Sequence, residues 1–364
     1  MSTFENQSMA NLLETASHQL QQNLPFVLYN KPDSDQLIGF FQQNDNLYFV
    51  ENFDEIGFIF APFDGKKVFI PENLSEIRIA DFEINLNNKT TFFPKEENVS
   101  EVKNNYKIVV QKAIDTIQSG ELIKVVLSRK EIVDLTHFDA MNLFQKLLNE
   151  YPTAFTYCFF HPKVGLWLGA FSEQFLKLEN TIFHTMAVAG THIYQGSENI
   201  IWGNKEKEEQ QLVTDYIFEK VKKILSNSTI SEPYTLKAGN VLHIKTDIQG
   251  TLNTDSNLNE VVEILHPTPA VCGLPTDNAK NFILANEGYD REYYSGFLGE
   301  LNKDFISHEK NTDLYVNLRC VKIEKNQAHV YVGGGITKDS IPENEWIETV
   351  NKSMTIKKIL DLGI

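Results

Sequence analysis

The stretch LIKVVLSRKEIV, residues 122 to 133, limits the fold more than any other feature of this chain. Its isoleucines, valines and leucines occupy both faces of a β-strand, so the strand must run inside a sheet that protein covers on both sides. Lys124 stands inside this apolar run. An ammonium is costly to take out of water. Either the side chain snorkels from a strand end to solvent, or its amine is desolvated and serves as a base near neutral pH. Both readings fit the segment.

Other segments extend the pattern. FTYCFFHPKVGLWLGAF (155–171), LYVNLRCVKI (314–323) and HVYVGGG (329–335) read as strands. Residues 1–97 open with a short helix and continue in alternating, Phe-rich strand segments such as LYFVENF and IGFIFAPF. The polar stretch NLNNKTTFFPKEENVS (85–100) reads as a linker or long loop. Helices are expected in VKNNYKIVVQKAIDTIQSG, closed by Gly120, in NKEKEEQQLVTDYIFEKVKKIL, in LNEVVEIL and in ENEWIETVNKSMTIKKILDL. Strands and helices come in blocks without strict alternation, which indicates an α+β fold. The expected division is a strand-rich N-terminal part, 1–97, of the same fold as a core over 98–364.

Composition narrows the partners. A formal charge of −16 disfavours nucleic acid and anionic membranes, since no compensating basic patch is present in the sequence. Cys158, Cys272 and Cys320 are odd in number, far apart and without CxxC spacing. They suggest neither a disulfide framework nor a zinc ribbon, and a reducing cytoplasm is the expected location. The N-terminal MSTFENQSMANLLETASHQL has no apolar core, and no run approaches the ~18 apolar residues of a membrane span, so neither secretion nor membrane insertion is expected.

Several residue groups are suited to chemistry. Glu206 and Glu209 lie three apart on one helix, with Glu209 next to the apolar positions Leu212, Val213 and Tyr216. Glu345 and Glu348 repeat the spacing on the C-terminal helix, with Lys352 one turn beyond. Charged helix starts and a surface Glu–Lys pair explain these patterns without function; four carboxylates on two helices also suit a hard cation such as Mg²⁺. Gly333 to Gly335 read either as a bulge or turn or as a place where backbone approaches a ligand anion. HPTPAVCGLP (266–275) is a loop stiffened by three prolines, and VAGTH (188–192) offers a glycine amide and a threonine hydroxyl; each is also compatible with a plain turn.

Taken together and in order, KVVLSR, GAFSE, AVAGT, KEKEEQ, VLH, HPTPAVCG, YDREYYSG, NLRC, VGGGI and ENEWIETVNK, spread over roughly residues 102–361, resemble the chorismate-binding enzymes. That family comprises anthranilate synthase large subunits and aminodeoxychorismate, isochorismate and salicylate synthases. The resemblance implies a single α+β unit of two large antiparallel sheets packed together with helices outside. It implies that Glu209 and Glu348 hold Mg²⁺, with Glu206 and Glu345 supporting them through the metal's waters. The ring carboxylate of chorismate would complete that site near the backbone of Gly190 and Thr191. Arg319, Lys352 and the amide of Gly333 would hold the enolpyruvyl carboxylate, as suits a guanidinium meeting a planar anion. Tyr294, His243, Ala270 and Leu318 would line the pocket.

Two positions separate the family's members. Ala189 stands where aminodeoxychorismate synthases carry a nucleophilic lysine, and Lys124 where anthranilate synthases usually carry glutamine. The resemblance therefore points to an isochorismate synthase, a monomeric Mg²⁺-dependent isomerase whose product suits menaquinone or siderophore synthesis. Salicylate synthase is the alternative; an anthranilate synthase or a non-catalytic binding protein is less favoured. Lys124, kept neutral by its apolar strand, would take a proton from water attacking C2, and Glu173 would protonate the departing C4 hydroxyl. Gln210, His192 and the middle glycine of GGG depart from residues common in relatives, and none of them takes part in these proton transfers.

Overall fold

A computed structural model describes residues 6–83, 100–238 and 241–360. The expected linker over 85–100 falls outside the described residues except for Ser100, which already belongs to a helix. Along the chain, β1 (Asn6–Ser8) and α1 (Met9–Gln21) lead into β2 (Phe26–Asn30), β3 (Gln36–Gln42), β4 (Tyr48–Phe49), β5 (Gly57–Ala61), β6 (Val68–Pro71) and β7 (Ser75–Asp81). Next come α2 (Ser100–Gln118), β8 (Lys124–Asp134), α3 (Ala140–Glu150), β9 (Phe155–His161), β10 (Gly165–Phe171), β11 (Gln174–Glu179) and β12 (Ile182–Ile193). They are followed by α4 (Asn204–Val221), β13 (Leu225–Ile230), β14 (Tyr234–Ala238), β15 (Val241–Leu252), α5 (Leu258–Leu265), β16 (Gly273–Leu274) and α6 (Thr276–Asn286). The chain ends through β17 (Phe297–Leu301), β18 (Asn311–Val316), β19 (Cys320–Glu324), β20 (Gln327–Ile336) and α7 (Pro342–Lys357).

The strands form two large sheets. One runs β1-β7-β3-β2-β9-β10-β19-β20-β8-β16, antiparallel except for the β1–β7 pair; the other runs β13-β15-β12-β11-β18-β17-β5-β6-β4, with β14 also on β15. This is the α+β architecture expected from the sequence. Strands from the first hundred residues take places in both sheets, so the N-terminal part shares the cores of the rest.

The doubly apolar strands are explained by what covers them. In β9, Phe155, Tyr157 and Phe159 face an aromatic core between the sheets, while Cys158 and Phe160 face a second core beneath α1 and α3. In β10, Trp167 points inward and Leu166 and Leu168 outward. The outer face of the second sheet is covered by α4 and α5 through Val213, Ile217, Val261 and Val262. A fourth cluster joins α2, α6 and α7 to β8 through Val110, Ile114, Val125, Leu127, Ile283 and Trp346. Sheets buried on both faces need no alternation in sequence.

The structure decides three segments that the sequence left open or misread. LYVNLRCVKI is not one strand: β18 belongs to the second sheet and β19 to the first, with only residues 317 to 319 between them. The glycines 333–335 make neither a bulge nor a turn, for β20 pairs with β8 in unbroken register, Gly333 opposite Ser128 and Gly335 opposite Val126. VAGTH, in contrast, holds a bulge, since the β12–β15 register shifts between Ala189 and His192 and Gly190 has φ 71°. Among the described residues no helix is long and apolar enough to cross a membrane.

Candidate active site

The site grows out of a seam between the sheets. Strand β10 of the first sheet continues into β11 of the second through only Ser172 and Glu173; β18 returns to β19 through Asn317, Leu318 and Arg319. Because β10 pairs with β19 and β11 with β18, the two crossings lie side by side. Val316 N donates to Glu173 O (2.9 Å) and Ala170 N to Arg319 O (3.4 Å). Ser172, Glu173, Leu318 and Arg319, released from strand alternation, line a cavity of about 200 Å³.

All fifteen residues singled out in the sequence line this cavity. Lys124 comes from β8 and Gly333 from β20; Gly190, Thr191 and His243 come from β12 and β15. Glu206 and Glu209 reach it from α4, and Glu345, Glu348 and Lys352 from α7. Ala270 and Tyr294 come from loops, and Glu173, Leu318 and Arg319 from the crossings. Tyr151, Ala154 and Thr355 extend the wall and were not expected; in sequence they read as ordinary residues at or near helix ends, with no motif to mark them.

Lys124 does not snorkel: only 2% of its surface is exposed. Nor is it surrounded by apolar side chains alone, as its strand suggested, because its Nζ lies 2.8 Å from Glu209 Oε1 in an ion pair. Gly335 makes room for that pair, since a Cβ there would stand 2.9 Å from Glu209 Oε1 and 3.0 Å from Lys124 Cε. The correction follows from tertiary structure, which lays α4 across the end of β12 and brings a carboxylate to the amine.

Glu173 is a buried carboxyl on the cavity wall. Burial pushes its carboxyl up to about 7, even though Arg319, Lys124 and Lys352 pull the other way. His243 is driven down to about 4 by burial, against the pull of its bond to the Gly190 carbonyl at 2.8 Å. Its imidazole is therefore neutral at pH 7, and the bond assigns the proton to Nδ1, leaving the Nε2 lone pair free to accept. The same bond fixes the bulge that carries Gly190 and Thr191 into the cavity. A Cβ at Gly190 would meet Glu206 Cβ at 3.1 Å, so the glycine also lets α4 sit close.

Three of the four glutamates lie against backbone without side chains, at Gly334 and Gly335. A Cβ on Gly334 would stand 3.5 Å from Glu348 Oε1 and 3.6 Å from Glu345 Oε2, while Gly335 adjoins Glu209. Burial raises the carboxyl of Glu348, but Lys352 at 2.6 Å and Arg319 bring it below the usual range. An all-carboxylate donor set fits a hard divalent cation. Among the described residues, no three His, Cys, Asp or Glu side chains form a ready-made metal site. Glu209 and Glu348 each face a lysine instead.

Comparison with known proteins identifies the family. The profile of the chorismate-binding enzymes matches residues 70–361. Isochorismate synthase EntC of Escherichia coli K12 is 28% identical over 269 residues, 71% of this chain and 67% of EntC. Isochorismate synthase MenF of the same strain is 30% identical over 274 residues, 71% of this chain and 61% of MenF. Anthranilate synthase component 1 of Saccharolobus solfataricus is 26% identical over 306 residues, 80% of this chain and 69% of that protein. The solved structure of MenF, the menaquinone-specific isochorismate synthase of E. coli, superposes with a TM-score of 0.75 at 20% identity, covering 98% of this chain and 100% of that one; this likeness concerns the fold.

Proposed function

The chain belongs to the chorismate-binding enzymes, and on that premise we propose that it is an isochorismate synthase, an isomerase that moves the hydroxyl of chorismate from C4 to C2. The observation that carries the proposal is a buried lysine and a carboxyl raised to about 7 lining one cavity. In the role proposed, Lys124 gives up Glu209 and releases its extra proton to solvent, and the neutral amine then takes a proton from a water as the oxygen bonds to C2. The C1–C2 double bond shifts to C1–C6 and the C5–C6 double bond to C4–C5, the C4–O bond breaks, and Glu173 gives its proton to the departing oxygen, which leaves as water. Atoms balance, since one water enters and one leaves.

Arg319, Lys352 and the backbone at Gly333 are the anion-binding groups, suited to the enolpyruvyl carboxylate. Lys352 donates to the Gly333 carbonyl at 3.0 Å, and Tyr294 is stacked on Tyr331 nearby. Mg²⁺ would be held by Glu209 and Glu348, with Glu206 and Glu345 behind them, and would supply positive charge to anchor the ring carboxylate. His243 and the Gly190–Thr191 bulge orient the ring. With Ala189 in place of a nucleophilic lysine, the wall offers no amine for a covalent route at that position.

The test is incubation with chorismate and Mg²⁺, with isochorismate followed by chromatography. Enzyme-dependent pyruvate above the nonenzymatic background would make the protein a salicylate synthase. Ammonia-dependent anthranilate fluorescence would make it an anthranilate synthase, and unchanged chorismate would refute catalysis on this substrate.

A further inference from the structure

The return crossing from β18 to β19 holds an unusual backbone. Arg319 has φ 45°, in the left-handed region that residues bearing a Cβ avoid. Such a conformation persists only where the surroundings over-determine it. Here the surroundings are centred on Asn317, which has no exposed surface. Its Oδ1 accepts from Tyr157 Oη at 2.9 Å and its Nδ2 donates to Tyr293 O at 2.8 Å. Its backbone N–H donates to Gly296 O, and its carbonyl accepts from Ser295 N, both at 2.8 Å. Tyr157 belongs to the first sheet, and residues 293 to 296 lead into β17 of the second. One side chain thus pins the crossing to both sheets.

The fit depends on amide chemistry. A carboxylate in its place cannot donate to Tyr293 O, and an apolar side chain strands a buried hydroxyl and a buried carbonyl. Gly169, beside the crossing on β10, leaves room for the same arrangement. A Cβ there would stand 2.8 Å from Tyr157 Cε1 and 3.2 Å from Arg319 O. Beyond this clamp the Arg319 side chain lines the cavity, and its charge acts on Glu173, His243 and Glu348. It forms no hydrogen bond or ion pair with any described residue, so its donors remain free.

We propose that Asn317 is a positioning residue: by clamping the crossing to both sheets it holds Arg319 in its left-handed conformation, with the guanidinium free to grip a substrate carboxylate. This rests on the assignment of chorismate as substrate. Asn317 touches no substrate and acts on affinity through Arg319.

The experiment is a double-mutant cycle on the full chain, with KM and kcat for chorismate measured at saturating Mg²⁺ beside thermal unfolding. Asn317→Ala is expected to raise KM by about tenfold with kcat within about threefold. In an Arg319→Ala background the same change is expected to alter KM by less than about twofold. A further tenfold loss in that background, or an unchanged KM in the single variant, overturns the proposal. A merely structural role would lower the melting temperature and act additively. If Asn317→Ala does not fold, Gly169→Ala, which crowds Tyr157 and Arg319, is placed in the same cycle with the same expectations. If the parent protein leaves chorismate unchanged, the substrate assignment fails separately. A crystal structure of the Asn317→Ala variant then decides: Arg319 still at φ near 45° and in the cavity refutes the clamp.

Discussion

Two glutamates in this molecule, Glu173 and Glu300, are both pushed up to about 7 by burial, and they occupy opposite kinds of place. Glu300 on β17 lies in the aromatic core between the sheets, where Tyr29 Oη donates to it at 2.6 Å and Lys31 pairs with it. Lys31 also reaches Asp304 at 2.7 Å, and Asp313, across from Glu300 on β18, bonds Gln174 and Tyr315. Those groups satisfy one another. Glu173 lines a cavity, hydrogen-bonds to no described residue through its carboxyl, and shares the space with the equally unspent guanidinium of Arg319. Desolvation is the main cause of the raised carboxyl in both places, with the charge of Asp304 adding to it at Glu300. What separates a site from a well-satisfied core is open space and donors left over, so a perturbed pKa locates function only together with a cavity.

The comparison can be broken most forcefully at the cavity. Glu348→Ala is expected to abolish Mg²⁺-dependent turnover, and calorimetry showing unchanged Mg²⁺ affinity would remove its ligand role. Lys124→Ala is expected to lower kcat by about 10²- to 10⁴-fold with the fold intact by circular dichroism; near-parental activity would refute the base assignment. The core cluster should respond oppositely. Lys31→Met leaves Glu300 buried without its cation and is expected to cost about 3 kcal/mol in chemical denaturation, with kcat within about threefold of the parent. A large loss of kcat there would erase the distinction between the two clusters.

Glu173 sharpens the comparison through pH. Its folded-state pKa, about 7, lies above the ordinary carboxyl value of 4.5, so the folded protein favours the protonated form. Its contribution to stability therefore falls as pH rises from about 4.5 to about 7 and is level above that. Glu173→Gln is expected to be more stable than the parent at pH 8 by about 1–2 kcal/mol, after discounting for its access to the cavity, and equal to it near pH 4 in urea titrations. In the parent, kcat should decline as pH rises through about 7, because the acid loses its proton. A rate that is flat across that range would deny Glu173 the role. The smallest expected effect concerns backbone strain: Arg319→Gly should be more stable than Arg319→Ala by about 1 kcal/mol, because glycine accepts φ 45° without penalty. Equal melting points would show the crossing to be unstrained.

Much of the fold could be read from residue patterns because those patterns are local. α5 over Leu258–Leu265 coincides with LNEVVEIL, and α2 gives way just before Gly120, whose φ is 86°. On α4, Val213 is buried as its spacing suggested, but Leu212 is exposed, since the helix meets the sheet along a narrower stripe. Helices α3 and α6 carry no motif and were not anticipated. The candidate site was legible as a set of members because its motifs come in a known order. Its geometry was not legible, since an unbroken apolar run such as LYVNLRCVKI gives no sign that the chain changes sheets in its middle.

By itself the sequence determined that the strands are covered on both faces, that the chain is an α+β protein, and which residues to assemble. Periodicity, burial and turn chemistry act over a few residues and survive without coordinates. Only the tertiary structure decided that Glu173 and Arg319 stand side by side at a sheet crossing, that Lys124 meets Glu209, and that GGG is an unbroken strand cleared for carboxylates. Each of these depends on contacts between segments far apart in the chain, and such contacts are fixed by how whole sheets and helices pack, which no local pattern encodes.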